Sequence, residues 1–261
     1  MKNLLMVVTH KECDIIKESP YRPVIVGKGE FEMENAWRDN TGDNIAEKNP
    51  YYCELTALYW VWKNQSNNFD NIGLCHYRRL LTKKAASNTR ETLLTDADIL
   101  RDMKQYDVIL PKPYLWPVSL DRVYYELGVG KKKDLDLARQ AIEELFPAYG
   151  KTFDKLISGR KASYCNMFVL SRQRFDDYCS WLFSILQYVE ERMDMTGYSV
   201  QEQRVYGYLS EILLNVWVKH NKLRIKYYPI AFMELSAQEH KVKAWKDRLV
   251  NLRLMIRNLV K

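Results

Sequence analysis

The 261-residue sequence contains no apolar run approaching the ~20 residues that a bilayer-spanning helix requires. Its opening, MKNLLMVVTH, passes straight into a strand-like pattern without a small-residue cleavage site. The expectation is a chain that is neither secreted nor integral to a membrane. Cysteine is scarce and unpatterned: Cys13, Cys53, Cys75, Cys165 and Cys179 are scattered and form no C-x-x-C. That argues against a disulfide framework and a zinc site, and for reduced thiols in the cytoplasm. Ten glycines and eight prolines are too few for a collagen-like or low-complexity chain. No internal repeat is visible, and neither G-x-G-x-x-G nor G-x-x-x-x-G-K-[ST] occurs, so the signals of a dehydrogenase or P-loop enzyme are missing.

What is present is 47 % apolar residues, enough for one well-filled core at a length where folding buries roughly three quarters of the chain's surface. The net charge of +7 is concentrated at the end of the chain. Between residues 241 and 261, seven lysines and arginines face the single acid Asp247, leaving the other residues close to neutral. A near-neutral body with a cationic tail argues against a nucleic-acid partner and for a locally acting basic segment. The chain accordingly divides into a main domain, 1–235, and a C-terminal helix, 236–261.

Along the body, short apolar runs alternate with helical patterns. NLLMVVT (3–9) reads as a buried strand ending at His10 and Lys11, and Val24–Val26 as a second ending at Gly27. The polar stretch RDNTGDNIAEKNP (38–50) is a loop rich in turn formers. Residues 51–64 carry Leu55, Leu58, Tyr59 and Trp62 at helical spacing and predict one amphipathic helix, whose aromatic stripe is core before it is a stacking surface. NIGLCHYRRLL (71–81) predicts an interior strand delivering His76, Tyr77, Arg78 and Arg79 to its end, and YDVIL (106–110) repeats that form. Residues 119–157 read as helical, with Gly128, Gly130 and the lysine run 131–133 as a mobile connector. A strand at 164–170, helices at 174–189 and 200–219, and a strand at 223–228 complete the body. Alternating strands and helices with polar residues at strand ends predict an α/β sheet with a ligand crevice along one edge.

Four blocks carry a family likeness: DNTGDNIAEKNPYYCELTALYWVWKN (39–64), IGLCHYRRLL (72–81), YCNMFVLSRQRFDDYCSWLFSIL (164–186) and QEQRVYGYLSEILLNVW (201–217). The sequence resembles the DUF4422 family of capsule and exopolysaccharide synthesis proteins. The resemblance implies a bacterial glycosyltransferase with a GT-A-like mixed sheet flanked by helices. It would move a hexose, with galactofuranose or galactose as the associated sugars, from a UDP donor to a lipid-linked oligosaccharide. By the same likeness HYRR stands where a GT-A enzyme carries its metal-binding acids, Asn166 lies on the sugar-facing strand, and Glu202 and Arg204 belong to the last block.

The departure at HYRR shapes the expected chemistry. Guanidinium forks match phosphate oxygens without a metal, so Arg78 and Arg79 are expected to stabilise the leaving diphosphate, with no cofactor required. Manganese or magnesium remains the alternative, with His76 as a ligand beside Asp39 or Asp43. The expected donor-binding set is His10, Lys11, Asp39, Asn40, Thr41, Asn44, Asn49, Tyr77, Arg78, Arg79, Asn166 and Arg204. Asp43, His76 and Glu202 are the candidates for the base that deprotonates the acceptor hydroxyl, if the reaction inverts the anomeric centre; a retaining course stays open. Glu54 and Glu211 read equally as a helix-dipole partner and an ordinary helix residue.

In the tail, Val242, Trp245, Leu249, Leu252, Ile256 and Leu259 recur at three- and four-residue steps with basic residues between them. This predicts a helix lying on an anionic membrane, placing the protein in the cytoplasm, peripheral to the inner face of the plasma membrane. The alternatives are a helix docked on the protein's own core and, for the whole chain, a non-catalytic membrane-associated polysaccharide-assembly protein.

Overall fold

The structure, a computed structural model, describes residues 1–14, 18–29, 31–235, 239, 242 and 249–254. Its centre is a mixed sheet. The apolar opening run forms β1 (Asn3–Thr9), followed by β2 (Tyr21–Ile25) and the short β3 (Trp37–Arg38). Two helices come next, α1 (Asn49–Tyr52) and α2 (Leu55–Asn64). Then come β4 (Asn71–His76), β5 (Arg79–Leu81), α3 (Asp96–Met103), β6 (Val108–Pro111) and β7 (Tyr114–Leu115). The middle of the chain is α4 (Leu120–Glu126), α5 (Lys132–Leu145) and α6 (Gly150–Ile157). The chain continues through β8 (Lys161–Ala162), β9 (Phe168–Ser171), α7 (Arg172–Glu190), α8 (Val205–His220), β10 (Ile225–Tyr228) and β11 (Ile230–Phe232).

The main sheet has the order β10-β6-β9-β4-β1-β2-β3, with β5 joined to β4 and β11 to β5. β1 pairs in parallel with both β2 and β4, whereas β9 runs antiparallel to both β4 and β6. Reversing that one strand has a consequence for the site. It brings the segment entering β9, Cys165–Asn166, to the same edge as the exits of β1, β4 and β6. This is the expected α/β architecture of a central mixed sheet flanked by helices.

Period-two alternation divides β1 between two apolar layers. Leu4, Met6 and Val8 pack with Leu58, Phe175, Leu182 and Leu213 from the helices α2, α7 and α8. Leu5 and Val7 face the opposite layer with Leu81, Leu94 and Ile99. At the crossing of β1, β4 and β9 the chains run so close that a Cβ on Gly73 would stand 2.5 Å from the Phe168 carbonyl oxygen, so β4 requires glycine there.

Two local expectations are corrected. The helix predicted over 51–64 is two pieces, because Cys53 adopts φ 54° between α1 and α2. The Asn49 side chain fastens that break by donating from Nδ2 to the Cys53 carbonyl (2.8 Å) and to Thr56 Oγ1 (3.1 Å). The strand predicted at 164–170 begins only at Phe168, since Cys165 and Asn166 have φ 72° and 50° and form a turn. The glycine-rich connector at 128–133 is bonded into the body: Lys131 Nζ donates to the Gly197 carbonyl, and the buried Asp134 accepts from the Tyr124 and Tyr198 hydroxyls.

Most of the predicted tail helix lies outside the described residues. The described residues there, 239, 242 and 249–254, are helical, and Leu254 is buried against Val118 and Val123. Leu249 and Leu252 of the predicted apolar stripe are exposed. Among the described residues no helix is long and apolar enough to cross a membrane.

Candidate active site at the strand ends

A cleft of about 380 Å³ opens where β1 and β4 end. β1 supplies Thr9 and, just past its end, His10 to its wall, and the tight β4–β5 hairpin supplies the next side. In that hairpin His76 pairs with Arg79, leaving Tyr77 and Arg78 as the two-residue tip. The break between α1 and α2 adds Cys53 and Glu54, and Arg204 reaches in from just before α8. Arg204 Nε donates to Cys53 Sγ at 3.1 Å. Tyr77 organises the rim: His10 meets its ring edge-on at 5.4 Å, and Lys11 and Arg78 lie 5.2 and 4.9 Å from its centroid. Glu234 pairs with both cations, 2.9 Å from Lys11 Nζ and 3.2 Å from Arg78 Nε. Arg79 and Arg204 make no ion pair among the described residues, so two guanidinium groups stand ready for an anion.

Beneath the arginines lies a layer of titratable groups. His76 is within 2.6 Å of the Cys165 carbonyl through Nε2. A carbonyl only accepts, so Nε2 carries the proton and Nδ1 is the basic nitrogen. Burial, ahead of every charge nearby, holds the His76 pKa below its ordinary value, and burial followed by Arg78 does the same for His10. Both imidazoles are therefore neutral at pH 7. Glu54 Oε1 accepts from Asn166 Nδ2 at 2.6 Å, and the same amide reaches the Gly207 carbonyl at 3.1 Å. Behind it, Glu211 accepts from the Cys165 backbone N–H at 3.0 Å. Burial first, then the neighbouring Glu54 carboxylate, pushes the Glu211 pKa up to about 8.

Of the residues singled out in the sequence, His10, Asn49, His76, Tyr77, Arg78, Arg79 and Arg204 converge on this cleft. Lys11 stands at its rim and Asn166 supports its floor through Glu54. The remaining candidates lie elsewhere, most with a structural use. Asp39 is 1 % exposed beside Thr56, and burial raises its pKa. Asn40 is exposed, and Thr41 accepts the Trp60 indole N–H through its carbonyl and hydroxyl. Asp43 accepts from the Tyr59 hydroxyl, while its backbone N–H and carbonyl are both satisfied by Asn64. Asn44 closes its own turn onto Gly42 and Ala46. Glu202 accepts the Ser199 backbone N–H at 2.8 Å while Ser199 Oγ accepts from Glu202 N, a reciprocal cap at the turn before α8. Asp43 and Glu202 thus lie outside the cleft, and His76 lies within it.

Sequence reading undervalued Glu54 and Glu211 and missed Cys53 and Glu234. The Asn49-Pro50 pair, which starts a helix just before the break, is the local signal for Cys53 and Glu54. Nothing local marks Glu234. Asp39 and Asp43 stand outside the cleft, and among the described residues no group of three His, Cys, Asp or Glu side chains is placed to hold an ion. The end of β4 and its hairpin present Arg78 and Arg79 to the cleft.

The profile described as a domain of unknown function, DUF4422, matches residues 4–222. Among solved structures, that of apo WbbM, a bifunctional glycosyltransferase, superposes on 90 % of the chain with a TM-score of 0.81 and 30 % identity. The chain spans 46 % of that protein's length. No curated protein sequence matches it. With its profile match running from β1 to just past α8, the chain belongs to the DUF4422 family.

Proposed function

We propose that the protein is a glycosyltransferase. In this reading it moves a hexose, galactofuranose or galactose, from a UDP donor to a lipid-linked glycan during synthesis of a bacterial surface polysaccharide. The observation that carries the reading is the convergence of Arg78, Arg79 and Arg204, from two distant segments, on one cleft at the sheet edge. The likeness to WbbM, itself a bifunctional glycosyltransferase, supports transferase chemistry on this fold.

The residues suggest how the reaction would run. The diphosphate lies against the guanidinium groups, whose fixed forks offset the charge that grows as the leaving group departs. The acceptor oxygen bonds to the anomeric carbon as the bond from that carbon to the diphosphate breaks, and the electron pair leaves with UDP. The hydroxyl proton passes to His76 Nδ1 or to the Glu54 carboxylate. Arginine takes the place that a divalent cation would fill, so transfer proceeds without a metal. The exposed Leu249 and Leu252, on a helical segment whose Leu254 is anchored to the body, support a tail that rests on the inner face of the plasma membrane near its acceptor.

A thermal-shift titration with UDP, GDP, dTDP and CMP, each in EDTA and in Mn²⁺, tests this. UDP alone should raise the melting temperature and do so equally in EDTA, since a ligand at a hundredfold excess over Kd adds about 2.7 kcal/mol. A UDP shift that requires Mn²⁺ would overturn the role given to the arginines. Absence of any nucleotide effect would favour the non-catalytic assembly protein.

A further inference from the structure

A second pocket of about 290 Å³ adjoins the cleft on the far side of Arg79, which lines both. Cys165, whose carbonyl accepts from His76, lies in its wall, so the two spaces meet at the same layer of titratable groups. Aromatic rings dominate its lining: Tyr114 and Trp116 lie with centroids 4.6 Å apart, and Tyr164 stands edge-on to Trp116. The polar atoms are few and specifically used. Tyr164 OH accepts the Trp116 indole N–H at 2.7 Å, and Tyr114 OH accepts from Asn251 Nδ2 at 2.7 Å. Each phenol thus spends an acceptor lone pair and keeps its O–H to donate. Lys112 adds a third donor at an exposed position.

We propose that this pocket seats a sugar ring of the acceptor, with its C–H face on Trp116 and Tyr114 and its hydroxyls toward Lys112 and the Tyr164 phenol. The assignment rests on the transferase reading above. The mixture of flat apolar faces with a few donors matches a saccharide, which presents an apolar face and a rim of hydroxyls. An alkyl chain would leave the three donors unanswered. Continuity through Arg79 places the ring's hydroxyl next to the anomeric carbon of a sugar whose diphosphate sits in the first cleft.

The full chain labelled with 5-fluorotryptophan provides the test by ¹⁹F NMR, with W116F assigning the Trp116 line among the seven tryptophans. The probes are methyl α- and β-glycosides of glucose, galactose and mannose, then UDP, then hexanol. At least one glycoside should move the Trp116 line saturably, while UDP raises the melting temperature and leaves that line in place. Lys112→Met, at an exposed position, should weaken the glycoside about tenfold, the value of one hydrogen bond from a charged donor. The proposal is overturned if no glycoside moves the line although UDP binds, if UDP itself moves it, or if hexanol does so and the glycosides do not. Failure of every nucleotide to bind would instead count against the transferase reading, so the two failures are distinguishable.

Discussion

The hairpin tip His76–Arg79 and the loop 39–49 are both short, polar and dense in hydrogen-bonding groups, and the structure uses them in opposite ways. In the loop, Asp43 and Asn44 are engaged with Asn64, Gly42 and Ala46, and Thr41 receives the Trp60 indole. These groups satisfy backbone and side-chain partners that folding would otherwise leave bare. In the hairpin a two-residue tip has almost no backbone of its own to satisfy, and Arg79 projects into the cleft without an ion pair among the described residues. The difference teaches that polar density alone does not mark a site. What marks one is polar groups whose capacity the fold leaves unspent.

The largest test of that contrast is Arg79→Ala. If Arg79 is a preorganised donor to the leaving diphosphate, turnover measured as UDP release should fall by about 10²–10³. Arg79→Lys should recover little of it, because the fork is lost. Turnover unchanged in either variant would erase the distinction between tip and loop.

Next in size is Glu211. Its folded pKa of about 8 lies above the ordinary 4.5, so between those values the folded protein binds more protons than the unfolded chain. Stability therefore falls as pH rises through that window, by an amount on the order of a few kcal/mol. The groups around it are Glu54, Arg79, Arg204 and the Cys165 N–H. Glu211→Gln keeps an acceptor for that N–H and should flatten the decline, read by urea melts from pH 5 to 8. An unchanged slope would mean the carboxyl is not held in its protonated form.

Asn64→Ala strikes the loop at its support. It leaves the Asp43 N–H and carbonyl to solvent and should cost about 0.5–1.5 kcal/mol of stability, with UDP affinity unaltered. The smallest effect belongs to Asp43→Ala, which removes one exposed bond to the Tyr59 hydroxyl and should change stability by no more than ~0.5 kcal/mol with full transfer activity. A large loss of activity in Asp43→Ala would return the loop to the chemistry.

Several features of the site were legible in the sequence because they are local. NLLMVVT and NIGLCH read as buried strands, and a strand that ends in His-Tyr-Arg-Arg delivers those groups to a sheet edge. The left-handed residues were not legible. Cys53, Cys165 and Asn166 are not glycines, and their positive φ values accompany side-chain bonds: a local one from Asn49 to the Cys53 carbonyl, and tertiary ones between Glu211 and the Cys165 N–H and between Glu54 and the Asn166 amide. Periodicity passes smoothly through each of them.

The sequence by itself determined an α/β chain, the succession of apolar runs along it, and arginines at the end of an interior strand, since these follow from patterns of two to four residues. Only the tertiary structure decided that β9 runs backwards between β4 and β6. Strand direction depends on which distant edges pair, and the local pattern of an apolar strand is the same read either way. That reversal carries Cys165 and Asn166 to the sheet edge, and with them Glu54, Glu211 and His76 become one layer beneath the arginines.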